Sequence, residues 1–199
     1  MEKRKAIVTG SSSGIGKAIT SILLKSGADV IGIARDHEKF EPNSDCYLPI
    51  SLDLSDFEKI ESVIPKLLLE HSDIDVLICN AGHGDFQALE NFSSKQISKF
   101  INLNLISHII LCRHLVSYMK AKGNGDIIVI GSEASLAGKK KATLYSAAKF
   151  GLRGFTQALR DECSNTGVRV CLINPGFVRS SFFDSLNFKP GDAENNAIE

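Results

Sequence analysis

Hydrophobic and polar positions along the chain follow two alternating rhythms. Short β-branched runs of strand length are separated by longer segments in which apolar residues recur every three to four positions. Lys5 to Thr9 reads as a first strand, Gly14 to Lys25 as a helix, Val30 to Ala34 as a second strand and Tyr47 to Ile50 as a weaker third. Ser55 with Glu58 three residues on makes a capping-box pattern that opens a helix to about Glu70. Ile74 to Cys79 is a fourth strand, and an interrupted helical stretch runs from Ser94 to about Lys122. Asp126 to Gly131, Thr143 to Ser164 and Val168 to Ile173 follow as strand, helix and strand. Strands without a polar face belong to a parallel sheet covered on both sides, so the expected fold is α/β, a Rossmann-type doubly wound sheet of six strands. Ligands in such sheets bind beyond the carboxyl ends of the strands.

A length of 199 residues predicts one domain spanning 1–199. Its 23 Lys+Arg balance 23 Asp+Glu, which argues against capture of nucleic acid or acidic lipid by net charge. The charged start, Met1 to Lys5, runs into an apolar stretch too short for a signal peptide or a spanning helix, so a cytoplasmic protein is expected. The five cysteines are widely spaced, lack a Cys-x-x-Cys pair and mostly lie in apolar runs, which predicts buried reduced thiols. No histidine stands at metal-ligand spacing from them, and no metal is expected.

The turn after the first strand carries the first chemistry. Thr9-Gly10-Ser11-Ser12-Ser13-Gly14-Ile15-Gly16 would let the backbone approach a pyrophosphate at a helix N-terminus. It lacks the Lys that a P-loop needs, which leaves a dinucleotide. Farther along, Tyr145 and Lys149 stand four apart on a predicted helix and so share one face. An ammonium beside a phenol has the right sign to bring it from near 10 to about 7, a change worth about 4 kcal/mol.

With these motifs the chain resembles the short-chain dehydrogenase/reductase family, from about Lys5 to Ser181. The matching marks, in order, are the Gly-x3-Gly-x-Gly turn, Asp53, Asn80-Ala81-Gly82, Asn104, Ser132, Tyr145-x3-Lys149 and Pro175-Gly176. The resemblance implies that Gly10, Ser12, Ser13, Gly14, Ile15 and Gly16 hold the cofactor's phosphates. It implies adenine contacts at Asp53 and Leu54, and a floor beside the ribose at Asn80, Ala81 and Gly82. Cys79, where many relatives carry another Asn, reads as packing. Pro175, Gly176, Val178 and Ser180 would hold the nicotinamide end, together with Tyr145 and Lys149.

At the end of the second strand an acidic residue would favour NAD. Here Ala34 is followed by Arg35, whose guanidinium suits a 2′-phosphate, so NADP(H) is preferred and NAD(H) remains possible. Asp36 could pair with Arg35 instead. The implied reaction is hydride transfer to a carbonyl of a small-molecule substrate. Tyr145 protonates the oxygen, Ser132 orients it, Lys149 together with the positive nicotinamide ring of the oxidised cofactor tunes Tyr145, and Asn104 holds a water in a proton relay reaching Lys149. A homodimer or homotetramer is implied as well. A cofactor-binding regulatory or scaffold protein of the same fold is the alternative.

Other features read as background. Lys139-Lys140-Lys141 could attract an acidic substrate but reads as a solvated loop. His83 follows the Asn80-Ala81-Gly82 turn and could face the pocket, but a single His in a loop reads as structural or exposed. Ser181 to Leu186 could form a lid within a lid or linker segment 181–199, and Gly191 to Glu199 reads as a polar linker approaching a helix. Against the family the chain reads as short by several tens of residues, either a truncated form or a naturally abbreviated member, and the usual seventh strand is expected to be missing.

Overall fold

The computed structural model describes residues 4–38, 40, 42–178 and, for the backbone, 197–198. The strands are β1 (Lys5–Thr9), β2 (Asp29–Ala34), β3 (Tyr47–Ser51), β4 (Val76–Cys79), β5 (Gly125–Ile130) and β6 (Val168–Ile173). They form one parallel sheet in the order β3-β2-β1-β4-β5-β6. The helices are α1 (Gly14–Lys25), α2 (Phe57–Glu70), α3 (Ser94–Ile101), α4 (Ser107–Lys122) and α5 (Thr143–Glu162). A two-residue strand β7 (Phe177–Val178) pairs in parallel with β8 (Ala197–Ile198). Residues expected to lead into a helix therefore include a short strand beside the segment that follows β6.

Each helix is positioned by the apolar stripe that it buries. On one face of the sheet, Ile60 and Ile64 of α2, Leu111 and Leu115 of α4, and Leu152 and Leu159 of α5 close over Ile7, Leu77 and Ile127. On the other face, Ile15, Ile19, Leu23 and Leu24 of α1 pack on Ala6, Val8, Val30 and Ile78. The expectation that both faces are covered holds only in part. Along β6, Val168 and Val170 are buried, whereas Arg169, Cys171 and Ile173 are exposed, because among the described residues α1 is the helix on that face and it lies over the β1 side. The thiols follow the same logic. Cys79, Cys112 and Cys163 are buried, but Cys46 is half-buried and Cys171 exposed.

The predicted capping box at Ser55 does not form. Asp56 caps α2 by accepting from the Lys59 N–H, while the Ser55 hydroxyl donates to Asp53 at 2.7 Å. A complete capping box occurs at Ser93 and Gln96 instead, and starts α3. The interruption in the 94–122 stretch is a π-helical turn over Asn102–Ile106. A π turn lets carbonyls slip out of the α-helical ladder. The Asn104 side-chain amide donates to the Phe100 carbonyl at 3.0 Å, and the Ser107 hydroxyl to that of Leu103 at 2.7 Å. Ser94–Lys122 taken whole is long and apolar enough to cross a membrane, but in this fold its apolar side chains go two ways. Ile97, Phe100 and Ile101 pack beside Tyr145, whereas Leu111, Leu115 and Met119 pack on the sheet.

The strand order reverses between β1 and β4, where the loops leaving the two strands diverge. Thr9, fully buried, bridges them. Its hydroxyl donates to the Ile78 carbonyl at 3.2 Å and accepts from the Asn80 and Ala81 N–H groups at 2.8 and 3.0 Å. The isosteric Thr9→Val leaves both N–H groups without that acceptor, and should destabilise the protein by about 2–4 kcal/mol in urea unfolding. Thr9→Ser should stay within about 1 kcal/mol of the unaltered protein. An unchanged midpoint for Thr9→Val would refute this bridging role.

Candidate active site

A cleft of about 670 Å³ lies over the carboxyl ends of β1, β4 and β5. One end is built by the glycine turn. Gly10 adopts φ +67°, and a Cβ on Gly16 would collide with the Gly10 carbonyl, so α1 can start directly under the turn only as glycine. Ser13 ends the turn in extended conformation, and its side chain makes no capping bond among the described residues. Ser13, Gly14 and Ile15 line the cleft, and the first turn of α1 holds no acid. Uncapped N–H groups at a positive helix end suit an anion such as a pyrophosphate.

An adjoining hollow is lined by Ser12, Ala34, Arg35, Asp53 and Leu54. Arg35 borders both spaces. The pairing of Arg35 with Asp36 does not occur among the described residues, where the Asp36 carboxylate accepts from the Glu38 N–H at 2.8 Å. Burial pushes the Asp53 carboxyl up, but hydrogen bonds from Ser55 and the charge of Arg35 outweigh it and hold the group below its ordinary value. Asn80, Ala81 and Gly82 line the cleft floor, with the Asn80 amide donating to the Thr9 carbonyl at 2.9 Å. The cleft and hollow together offer what a dinucleotide requires: helix N–H donors for phosphate, Asp53 and Leu54 where adenine contacts are expected, and a guanidinium beside them. Pro175, Gly176 and Val178 also line the cleft, while Ser180 and the proposed lid over 181–186 lie outside the described residues.

At the other end stand Ser132, Tyr145, Lys149 and Asn104, all lining the same space. Ser132 follows β5 in extended backbone, and its hydroxyl accepts from the Ala134 N–H at 3.2 Å and hydrogen-bonds Tyr145. Lys149 is buried one turn beyond Tyr145, with Nζ 5.7 Å from the phenol ring centroid and donating to the Ile130 carbonyl at 2.9 Å. Asn104 is fully buried, its amide satisfied by Phe100 and by the His83 N–H at 3.1 Å. The four residues to which the resemblance gives catalytic roles therefore line one cleft.

Burial pushes the Tyr145 phenol above its ordinary value, and the Ser132 hydrogen bond offsets this only in part. The chain's own groups alone therefore do not lower the phenol, and the expected lowering draws on the positive nicotinamide ring of the oxidised cofactor as well as on Lys149. Burial also lowers Lys149 to about 8, so the ammonium beside the ring is itself reluctant.

Several cleft residues carry no sequence signal. Phe86 tilts against the Tyr145 ring at 5.2 Å. Glu133 and Phe177 also line the space. His83 does too, its ring edge against Phe100 at 5.1 Å; burial lowers its imidazole below the ordinary value. Lys139 and Lys140 are exposed, as a solvated loop predicts, and also border the cleft. These residues reach the site through tertiary folding, and only the lysine run and the place of His83 after Asn80-Ala81-Gly82 were visible in the sequence.

Comparison with known proteins agrees with this geometry. The family model described as short chain dehydrogenase matches residues 4–190. The chain is 35% identical over 191 residues to the 3-oxoacyl-acyl-carrier-protein reductase FabG of Escherichia coli (strain K12), covering 94% of this chain and 78% of that protein. A short-chain dehydrogenase of Streptomyces avermitilis superposes with a TM-score of 0.86 at 31% identity, over 89% of this chain and 67% of that one. ElxO solved with NADP bound gives 0.84 at 25% identity, over 94% and 80%.

Burying the Lys149 ammonium should be a stability cost. Its folded-state pKa lies below the unfolded one, so the cost is full below about pH 8 and disappears as pH rises through the ordinary lysine range. Lys149→Met should therefore raise stability at pH 7 by on the order of 1–3 kcal/mol in urea unfolding, with the gain vanishing above about pH 10.5. A Lys149→Met protein less stable than the original at pH 7 would contradict this.

Proposed function

As the chain belongs to the short chain dehydrogenase family, we propose that it reduces a ketone or aldehyde to an alcohol with NADPH. The observation that carries this reading is the Tyr145 phenol. It lies in the cleft, hydrogen-bonded to Ser132, and its surroundings keep it protonated. A protonated phenol is the form required to deliver a proton to a carbonyl oxygen that has gained negative charge.

The residues at the glycine-turn end of the cleft fit the cofactor. The N–H groups of α1 would hold its pyrophosphate, and Arg35 the 2′-phosphate that distinguishes NADP from NAD. ElxO was solved with NADP, which supports this choice, while the 4-hydroxyisoleucine dehydrogenase neighbour was solved with NADH. When bound, the nicotinamide supplies the hydride. Ser132 orients the carbonyl oxygen by donating a hydrogen bond that strengthens as charge develops there. Tyr145 gives up its phenolic proton to that oxygen. The Lys149 ammonium, 5.7 Å from the ring centroid, favours the phenolate that remains. Asn104 fixes the loop at His83 and the helix at Phe100, and so positions the wall against which Tyr145 packs. Resemblance to ketone-reducing relatives such as FabG supports the reductive direction.

Tyr145→Phe should lower kcat by about 10²–10⁴ in an NADPH oxidation assay over aldehydes and ketones, with NADPH affinity retained. Turnover near that of the unaltered protein would refute the assignment. NADPH binding without turnover of any carbonyl would favour the scaffold reading. Arg35→Ala should weaken NADPH relative to NADH by about tenfold in fluorescence titration, and an unmoved preference would refute the role of Arg35.

A further inference from the structure

The charge around the cleft is distributed in a way that the cofactor alone does not explain. Arg35 and the N-terminus of α1 form one positive region at the glycine-turn end. Lys139 and Lys140 form a second at the reacting end, a few residues before Tyr145. The Ala142 N–H donates to the Lys139 carbonyl at 3.1 Å, which closes a tight turn directly ahead of α5. Within that turn Lys141 takes φ +63°, a left-handed conformation that a lysine adopts at a cost. Lys139 and Lys140, both exposed, lie at the edge of the cleft. Among the described residues neither makes an ion pair. Glu133, the acid that also lines the cleft, lies against Gly176, 3.2 Å from where a Cβ would stand, and does not bridge to either lysine.

Two exposed ammonium groups at the cleft edge, without an ion pair among the described residues and on a chain whose net charge is zero, point to a negatively charged ligand there. We infer that Lys139 and Lys140 form a subsite for an anionic group, a carboxylate or a phosphate, carried by the carbonyl substrate itself. The inference rests on the reductase reading and narrows it from any carbonyl compound to one bearing its own negative charge. The attraction acts through partly solvated lysines, so it is screened by salt and supplies preference more than absolute affinity.

The test uses ketone pairs that differ in that charge: 4-oxopentanoate against its methyl ester, and dihydroxyacetone phosphate against dihydroxyacetone. The ratio of kcat/KM within a pair cancels every contribution of NADPH. The unaltered protein should favour the charged member, and Lys139→Gln with Lys140→Gln should reduce that ratio about tenfold, as should raising ionic strength. Lys25→Gln with Lys66→Gln, which removes two exposed charges on α1 and α2, should leave it in place. The pair with the larger ratio identifies carboxylate or phosphate as the anion. A second reading comes from calorimetric titration of dihydroxyacetone phosphate and 4-oxopentanoate into the Tyr145→Phe protein loaded with NADPH. Lysine-dependent binding there without turnover of any ketone by the unaltered protein would sink the reductase reading and leave the anion subsite standing. Turnover with a ratio and an affinity that the Lys139 and Lys140 substitutions do not move would overturn the subsite and leave the reductase standing.

Discussion

The hydroxyl of Thr9 carries the load at the place where the strand order reverses. Loops that diverge from adjacent parallel strands leave N–H groups with no ladder partner, and those groups must be satisfied without filling the crevice between them. A threonine can do this because one oxygen both donates and accepts. By donating to Ile78 and accepting from Asn80 and Ala81, it fixes the floor of the cleft to β1. The Asn80 amide then returns to the Thr9 carbonyl, and the Gly10 N–H reaches Ile33 on β2 at 2.8 Å. The cradle at the glycine turn and the floor beneath the reacting groups are therefore one hydrogen-bonded unit. Its rigidity explains why Gly16 tolerates no side chain: the Gly10 carbonyl has no freedom to withdraw.

The reacting end obeys a different economy. Lys149 is buried with a backbone carbonyl as its hydrogen-bond acceptor, and Tyr145 is held protonated by the same shielding from water. Burying the Lys149 ammonium works against stability, whereas the neutral Tyr145 phenol carries no such cost near neutral pH, and shielding from water strengthens any charge interaction at this end of the cleft. Residues that would relax this tension, such as an acid near Lys149, would also remove the reason for placing it there. The aromatic wall formed by Phe86 and the cluster around Phe100 keeps the shielding in place.

Much of this was readable from local pattern. The strands and helices lie within a few residues of the hydrophobic rhythm, because each is long enough for its period to register. The glycine turn and the Tyr145–Lys149 pair were legible because their chemistry depends on fixed separations along one element. What escaped depends on competition between neighbours or on folding at a distance. Ser55 and Asp56 both can cap a helix, and the choice fell to Asp56 because Asp53 claims the Ser55 hydroxyl. Spacing reveals the ammonium one turn from the Tyr145 phenol but not the burial that opposes it. The exposed side of β6 depends on which helices lie over it, and an apolar run such as Val168 to Ile173 does not say how many faces are covered. Phe86 and Glu133 join the cleft from separate loops, where no period marks them.

The π-helical turn at Asn102–Ile106 has one more effect. An added residue rotates everything after it by about 100° around the helix axis. The side chains of α3 and those of α4 therefore keep different angular phases, one serving the wall behind Tyr145 and the other the sheet. A linear average over the stretch discards phase and sums the two burial stripes, so a pair of partly apolar helices gives the profile of a single lipid-spanning rod. In the folded chain the same residues act as an offset crank, whose two arms could not both reach their targets from an uninterrupted helix.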